Sequence, residues 1–599
     1  MERKLLLVFA LTFLVIMLFQ PVLKKYLPQP PEKPANTQTV PAQNPTQPAM
    51  PAGTVNTAPT ARSGKNAPGA ATPQQGSSES ETVVENGLYR IVFTNRGGQV
   101  KSWVLKNYKD RPNGNPLDLV NSEAAKKYGY PLSLWTYDES LRNKINSALY
   151  VPSQTQSILL DEEKVKITGS AKGLELASNT LSAPVEITFV YADGDVSVRK
   201  SFKFDHSYTV EVHTSVEVQG AEVTALSMWP AGFGDETSGP AYAATQIAYQ
   251  YNANVERLAI KKISGGGTVP GPFQWAGISD QYFTAVFIPQ DPQNAAMVTL
   301  RNPIEIRHKP FDPNDKQMDK VDVLGAAVGS LKGVTATRLY VGPKTLESLQ
   351  AVAVPGITGA EPDLRGIVDF GWLGYIARPL FLWLKWTFKY VHNWGWAIVL
   401  QTIIINLALL PLRLSQMKSM LKMQRVAPQI KAIQEKYKKY SLRDPKKAEM
   451  NTEISALYKK EGVNPAGGCL PLLIQMPFLF AYYRMLGVAI DLRHAAWLWV
   501  PDLSAPDPIY ILPIAIVVTM FLMQRMTPQA GMDPTQQKMM NFMMPAMLGY
   551  ISFNLASGLC LYWAVGQLIG IVQQTALNRS SLGREMREMA EKRARKKEK

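Results

Sequence analysis

The segment LPLLIQMPFLFAYYRMLGVAI, residues 470–490, decides the fold class of this chain. It is apolar and long enough to cross a bilayer as an α-helix, and Arg484 is its single charged residue. A guanidinium in mid-membrane costs about 3 kcal/mol on insertion scales, so it must face water or a polar partner. The segment therefore predicts a membrane-spanning helix and makes Arg484 a candidate functional residue.

Similar apolar segments recur in the last third of the chain. The predicted spans are Trp394 to Leu412, Leu470 to Ile490, Ile509 to Met523, Met539 to Leu555 and Leu559 to Leu577. Residues 1–23 combine a basic start with an apolar run and lack a convincing cleavage site, which predicts an uncleaved signal anchor. We expect a polytopic α-helical membrane protein with about six transmembrane helices.

A different composition precedes these spans. Residues 24–80 are rich in Pro, Ala and Gln, which predicts a disordered tether. Residues 81–365 contain short alternating runs between turn residues, for example Val196 to Phe204 and Tyr208 to Val218. This pattern predicts a large extracytoplasmic antiparallel β-sandwich, in which His206 and His213 are interpreted as ordinary strand residues. In residues 366–392, Arg378, Lys385 and Lys389 fall on one helical face, which predicts an interfacial amphipathic helix.

Lysine and arginine are concentrated in residues 415–463 and in the tail, residues 578–599. The positive-inside rule places both segments and both chain ends in the cytoplasm, and residues 24–393 mainly in the periplasm. Residues 415–463 favour a helical hairpin, either a solvated loop or a docking surface for ribosomal RNA, nascent chain or targeting machinery. The net charge of +16 is therefore interpreted as topogenic, and no specific DNA binding is expected.

The chain shows few signs of catalytic chemistry. Its two cysteines, Cys469 and Cys560, are expected on opposite sides of the membrane, so no disulfide is predicted. The predicted spans contain no histidine and no nucleophile–base pair. We expect neither an enzyme nor a bound cofactor or metal.

Uncharged polar side chains within the predicted spans could line a wet groove together with Arg484. Separately, each could be a simple contact between helices, which is the commoner role. They are Gln401, Thr402, Asn406, Gln475, Tyr562, Trp563 and Gln567. Prolines such as Pro477 can bend a helix and leave polar backbone that tolerates a hydrated cavity.

Several motifs carry a resemblance to a known family. They are NPAGGCLPLLIQMP (residues 464–477), Asp502-Leu503-Ser504, Tyr510 to Pro513, Asp533-Pro534 and SGLCLYW (residues 557–563). In sequence, order and spacing they resemble the YidC family of membrane protein insertases, and the resemblance covers nearly the whole chain.

The resemblance implies a bacterial inner-membrane insertase and chaperone. It implies a hydrophilic groove in the inner leaflet, open to cytoplasm and lipid, whose arginine attracts acidic residues of an incoming segment. It also implies nascent membrane proteins as clients, the ribosome and the Sec translocon as partners, and no nucleotide. Such a groove shortens the path over which polar groups lack hydrogen-bond partners in hydrocarbon.

This chain departs from the family pattern at one position. The family arginine usually lies five residues before the proline of a Pro-Leu pair, and here that position is Asn406, before Pro411. We predict that Arg484 replaces it from the neighbouring helix, with Arg413 as the rival. The predicted groove residues are Arg484, Asn406, Gln475, Met476, Pro477, Tyr562, Trp563, Arg413, Gln401 and Gln567.

The main alternative is a solute transporter or channel whose β-sandwich captures a sugar-like ligand. Ion-coupled transporters usually keep carboxylates or histidines at mid-membrane, and the predicted spans have none away from their ends. The sequence therefore favours the insertase.

Overall fold

The structure is a computed structural model that describes residues 73–155, 180–236, 239–251, 254–258, 260–308, 314–354, 364–437, 440, 444–462, 470–526, 539–581 and 584. The predicted anchor, most of the tether and most of the basic tail lie outside these residues, as does Cys469. The described residues form a β-rich part followed by a helical part.

Twenty strands form the β-rich part, which we call the β-domain. They are β1 (Glu81–Glu85), β2 (Tyr89–Thr94), β3 (Gln99–Lys109), β4 (Pro116–Asp118), β5 (Ser133–Trp135), β6 (Val151–Thr155), β7 (Thr180–Ser182), β8 (Val185–Asp193), β9 (Val196–Phe204), β10 (Thr209–Val218), β11 (Ala221–Glu222), β12 (Leu226–Trp229), β13 (Gln246–Tyr251), β14 (Asn254–Leu258), β15 (Gly267–Pro270), β16 (Trp275–Ser279), β17 (Phe283–Pro289), β18 (Ala295–Arg307), β19 (Met318–Ser330) and β20 (Thr335–Pro343).

The strands pair into three sheets. The largest has the order β14-β13-β16-β17-β20-β10-β9-β8-β6, with β11 paired to β10, and the two others are β4-β3-β2-β1-β7 and β15-β18-β19-β12-β5. Pairing is antiparallel except between β1 and β7, where Val83 faces Thr180 in parallel register. The predicted antiparallel sheets are therefore confirmed, and β9 begins and ends at the expected residues.

Two sheets pack face to face through aromatic side chains. The ring of Phe93 on β2 lies 5.1 Å from that of Phe202 on β9 and 5.7 Å from that of Phe189 on β8. All three side chains are fully buried. Each such burial contributes about 1.5–3 kcal/mol, which is why the alternating apolar residues face inward. His213 lies within β10, whereas His206 lies in the turn before it.

The turn between β2 and β3 is held by a buried lysine. Gly97 and Gly98 adopt φ angles of 67° and 52°, which favour glycine. Lys200 Nζ on β9 donates to their carbonyl oxygens at 2.9 and 2.6 Å and to that of Leu132. Burial lowers the pKa of Lys200 to about 7.

Twelve α-helices complete the described structure. They are α1 (Ser122–Tyr128), α2 (Glu139–Ser147), α3 (Gly239–Ala244), α4 (Leu346–Gln350), α5 (Gly374–Val391), α6 (Trp394–Ala408), α7 (Leu410–Lys436), α8 (Lys446–Lys460), α9 (Leu470–Val488), α10 (Ile511–Met526), α11 (Met544–Ser552) and α12 (Ser557–Arg579). Short turns of 3-10 helix at Leu364–Ile367 and Ile490–Leu492 and a π-turn at Met539–Met543 supplement them.

Helices α6 and α7 divide one predicted span. Asn393 caps α6 by accepting a hydrogen bond from the Trp396 amide at 3.1 Å, and the helix ends at Ala408. Pro411 lies in the first turn of α7, where its missing N–H is tolerated. Helix α7 then continues into the predicted hairpin and packs on α8 through Val426, Ile430 and Ile454.

Among the described residues, no helix is both long enough and apolar enough over its length to cross a bilayer. The count of about six spans stays a prediction.

Candidate functional site

Arg484 lies near the carboxyl end of α9, where it meets Asp369 in the segment that precedes α5. Its Nη2 donates to the backbone oxygen of Asp369 at 2.9 Å and to Asp369 Oδ2 at 2.8 Å. Burial acts to raise the pKa of Asp369, but Arg257 and Arg484 outweigh it, so this pKa is lowered. The two side chains form an ion pair about four-fifths buried, with exposed fractions of 22% and 20%.

The structure corrects the expected position of Arg484 beside Asn406. Tyr482, two residues before Arg484, already lies level with Gln401, to which its hydroxyl donates at 2.9 Å. Asn406 lies five residues beyond Gln401 on α6, about 7.5 Å along the axis at 1.5 Å per residue. This direction is opposite to the one that leads from Tyr482 to Arg484 on α9. The register between α6 and α9 therefore separates Arg484 from Asn406.

Arg413 is the arginine that reaches Asn406. From the first turn of α7, its Nη1 donates to Gln573 Oε1 on α12 at 2.7 Å and its Nη2 to Asn406 Oδ1 at 3.3 Å. Gln573 Nε2 also donates to the Asn406 backbone oxygen at 3.4 Å. We call Arg413, Asn406 and Gln573 the Arg413 cluster; it joins three helices at the break between α6 and α7.

The partners of the Arg413 guanidinium are uncharged amides. Within the described part of the chain, it forms no ion pair with a carboxylate. Gln573 was missed by the sequence analysis, although it is a polar residue inside the last predicted span. The available signal was its position four residues before the end of that span, at the level expected for Arg413.

Gln401 and Tyr562 lie in the packed interior of the bundle. Gln401 is fully buried, and its Nε2 donates to the Leu380 oxygen on α5 at 3.0 Å. Tyr562 stacks on Tyr482 with ring centroids 4.0 Å apart and an interplanar angle of 19°. The structure therefore places these two predicted groove residues in contacts that join α5, α6, α9 and α12.

The remaining predicted residues lie on helices α9 and α12. On α9, Met476 is 37% exposed and Pro477 is half-buried; the side chain of Gln475 lies outside the described residues. On α12, Trp563 and Gln567 are half-buried, and Leu568 is exposed nearby. Exposed apolar side chains therefore lie on both α9 and α12.

The loop between α9 and α10 lies across the end of the helical bundle that is opposite the Arg413 cluster. Asp507 is buried and accepts hydrogen bonds from the Leu512 amide at 2.8 Å and from Trp499 Nε1 at 3.4 Å. Ser557, at the start of α12, donates through Oγ to the Ala505 oxygen at 2.7 Å. These contacts fix the loop across the helix ends.

Helix α5 presents aromatic residues on its exposed side. Tyr375, Trp386 and Tyr390 are 71%, 54% and 69% exposed. Lys385 points away from this surface, with Nζ 2.7 Å from Glu347 Oε2 and 3.5 Å from Asp491 Oδ1. Lys385 therefore joins α5 to Glu347 and Asp491.

Two family models match the chain. The model described as the YidC periplasmic domain matches residues 81–383, and the model described as 60Kd inner membrane protein matches residues 386–584. Together they cover the β-domain and nearly all of the helical part.

One relative matches this chain over its full length and another over half of it. The membrane protein insertase YidC of Syntrophus aciditrophicus is 32% identical over 97% of this chain and 100% of its own length. That of Wolinella succinogenes is 39% identical over 50% of each chain. The crystal structure of an active YidC insertase with the first transmembrane domain resolved aligns with a TM-score of 0.34 and 19% identity, covering 86% of this chain and 95% of that one. From the family models and the full-length match to the Syntrophus protein, the chain belongs to the YidC family of membrane protein insertases.

Proposed function

We propose that this insertase moves the polar parts of its clients through a groove whose attracting cation is Arg413. The carrying observation is that the guanidinium has amide partners at 2.7 and 3.3 Å and no paired carboxylate in the described part of the chain. Its charge therefore remains available to an incoming acidic residue. At 4 Å the attraction is about 1 kcal/mol in water and about 4 kcal/mol at an effective dielectric constant of 20.

The location of the Arg413 cluster supports this proposal. Helix α7 runs from Arg413 into the basic hairpin, which the positive-inside rule assigns to the cytoplasm. The closed loop between α9 and α10 lies at the opposite end. A site on the hairpin side of the bundle, at the end opposite this loop, fits a groove that admits segments from the cytoplasm.

The membrane arrangement is part of the same proposal. The chain crosses the inner membrane about six times, both chain ends are cytoplasmic, and the β-domain is periplasmic. Helix α5 lies on the outer leaflet, because its exposed Tyr and Trp side chains are of the type that favours the membrane interface. The proposal also includes the predicted order of segments: the anchor at residues 1–23, the tether at residues 24–80 and the basic tail at residues 578–599.

The clients are nascent membrane proteins, which the exposed side of α9 at Met476 and of α12 at Leu568 would contact. The ribosome and the Sec translocon are proposed partners through the hairpin of α7 and α8, where Lys422, Lys431 and Lys436 are exposed. The comparisons offer no support for the transporter alternative.

The test compares Arg413→Gln with Arg413→Lys in cells depleted of their own insertase. One client carries an acidic translocated segment, and its matched twin carries the corresponding amides. We expect Arg413→Gln to lower insertion of the acidic client about tenfold and to leave the twin within twofold. Arg413→Lys should retain most of the activity, since the charge is kept.

A double variant makes the test specific. Asn406→Arg in the Arg413→Gln background returns an arginine to the position where the family usually has it, and we expect it to restore insertion of the acidic client. Normal insertion of both clients by Arg413→Gln would overturn the proposed role of the cation.

A further inference from the structure

Arg493 occupies a socket formed by the β-domain. It follows α9 in the loop toward α10, and its side chain is only 9% exposed. Its Nη1 donates to the Lys109 oxygen at the end of β3, at 2.9 Å. Its guanidinium lies 5.7 Å from the ring centroid of Tyr282 and 5.3 Å from that of Phe283.

The inner wall of the socket is acidic. Asp235 Oδ2 lies 4.0 Å from Arg493 Nη2, and the Asp235 side chain is 7% exposed. Asp280 is also buried, and its backbone oxygen accepts a hydrogen bond from Lys344 Nζ at 2.8 Å. A cation that leaves this socket loses its hydrogen bond to the Lys109 oxygen and its contact with the buried Asp235 carboxyl, which is costly in a buried site.

Other contacts hold the same end of α9. Gln281 Nε2 on the β-domain donates to the Gly487 oxygen at 2.8 Å. Arg484 pairs with Asp369, and Asp491 lies 3.5 Å from Lys385 on α5. All these contacts fall between Arg484 and Arg493, so they fix the outer end of the helix.

The contacts described so far all lie after Pro477, in the second half of α9 and the loop that follows it. Pro477 removes one backbone hydrogen bond from the helix interior, and such a position is a usual point of bending. Beside it, Met476 is 37% exposed. The fixed outer half of α9 and the half before Pro477 therefore meet at a point where the helix can bend.

We propose that the β-domain positions α9 in the insertase, with Arg493 as its anchor. Fixing the outer half sets the direction in which the part before Pro477 projects into the groove. Arg493 is thus a positioning residue that acts on clients through α9. This inference rests on the proposed function, because it treats α9 as a wall of the groove.

The first test is amide hydrogen exchange on the full-length protein in lipid nanodiscs. We expect Arg493→Gln to raise exchange in residues 478–490 at least fivefold while exchange in β8 to β10 stays unchanged. Arg307→Gln, which removes an exposed arginine at the end of β18, is the matched control and should change neither region. Unchanged exchange in residues 478–490 of Arg493→Gln would overturn the anchor.

The second test is rescue by a covalent link. Gln281→Cys and Gly487→Cys are joined with a short thiol crosslinker in a chain whose Cys469 and Cys560 are replaced by alanine. In the Arg493→Gln background, linking should return both exchange and client insertion to within twofold of the parent. A merely local folding defect at Arg493 would not respond to the link, and that result would contradict a positioning role.

The two proposals fail separately. Normal insertion by Arg413→Gln refutes the groove cation and leaves the exchange result at α9 intact. Unaltered exchange and insertion in Arg493→Gln refute the anchor while the Arg413 variants still separate acidic from neutral clients.

Discussion

Arg413 and Asn406 meet across the break between α6 and α7, with Nη2 of the arginine 3.3 Å from Oδ1 of the asparagine. At this break α6 ends at Ala408 and α7 begins at Leu410. An arginine seven residues further along the chain thereby donates to the residue that replaces the usual family arginine.

This contact predicts that Asn406→Arg alone is harmful. The new guanidinium would lie near that of Arg413 in a buried position, and two like charges at 4 Å repel by about 1–4 kcal/mol. We expect a lower thermal unfolding midpoint in detergent and reduced insertion. The same substitution should be tolerated when Arg413 is Gln, so equal midpoints in the two backgrounds would contradict the contact.

The hydrogen bond between Tyr482 and Gln401 should contribute to stability and not to client choice. Tyr482→Phe leaves the buried Gln401 Oε1 without its donor, at a cost of about 1–3 kcal/mol. We expect a lower unfolding midpoint and an unchanged ratio of acidic to neutral client insertion. Tyr483→Phe is the neighbouring control, since the Tyr483 hydroxyl has no hydrogen bond to the described residues, and it should leave the midpoint unchanged.

The ion pair between Arg484 and Asp369 should behave in the same way. Asp369→Asn removes a charged hydrogen-bond partner at 2.8 Å, worth about 1.5–3 kcal/mol. We expect Asp369→Asn and Arg484→Gln to lower the unfolding midpoint to a similar degree and to affect acidic and neutral clients alike. Selective loss of the acidic client in Arg484→Gln would return Arg484 to the groove.

The buried carboxyl of Glu236 predicts a pH dependence of stability. Burial, and then the nearby Asp280, raise the pKa of Glu236 from 4.5 to about 8. Between these values the folded chain keeps a proton that the unfolded chain releases, so this group makes stability fall as pH rises, by up to about 1.4 kcal/mol per pH unit. The full effect is present above about pH 8 and absent below about pH 4.

Unfolding midpoints between pH 5 and 7 measure this effect. The difference between the parent chain and Glu236→Gln isolates it, because the amide cannot titrate while other buried groups are common to both chains. We expect the parent to lose stability relative to the variant as pH rises across this range. A constant difference would show that Glu236 has an ordinary pKa in the folded protein.

The β-domain was the most predictable part of the structure. Strand β9 was predicted residue for residue, because alternation of apolar and polar side chains is a local property of an extended chain. The pairing of β1 with β7 and the burial of Lys200 beneath the turn at Gly97 were not predictable in this way. Both depend on segments that are distant in sequence.

By itself the sequence determined the family, the order of the domains and the two arginines, Arg484 and Arg413, that could replace the one missing at Asn406. Only the tertiary structure assigned Arg484 to Asp369 and Arg413 to Asn406 and Gln573. The physical reason is that sequence spacing gives the position of a residue along its own helix. The register between neighbouring helices follows from packing contacts, such as those of Tyr482 with Gln401 and Tyr562, that no single segment encodes.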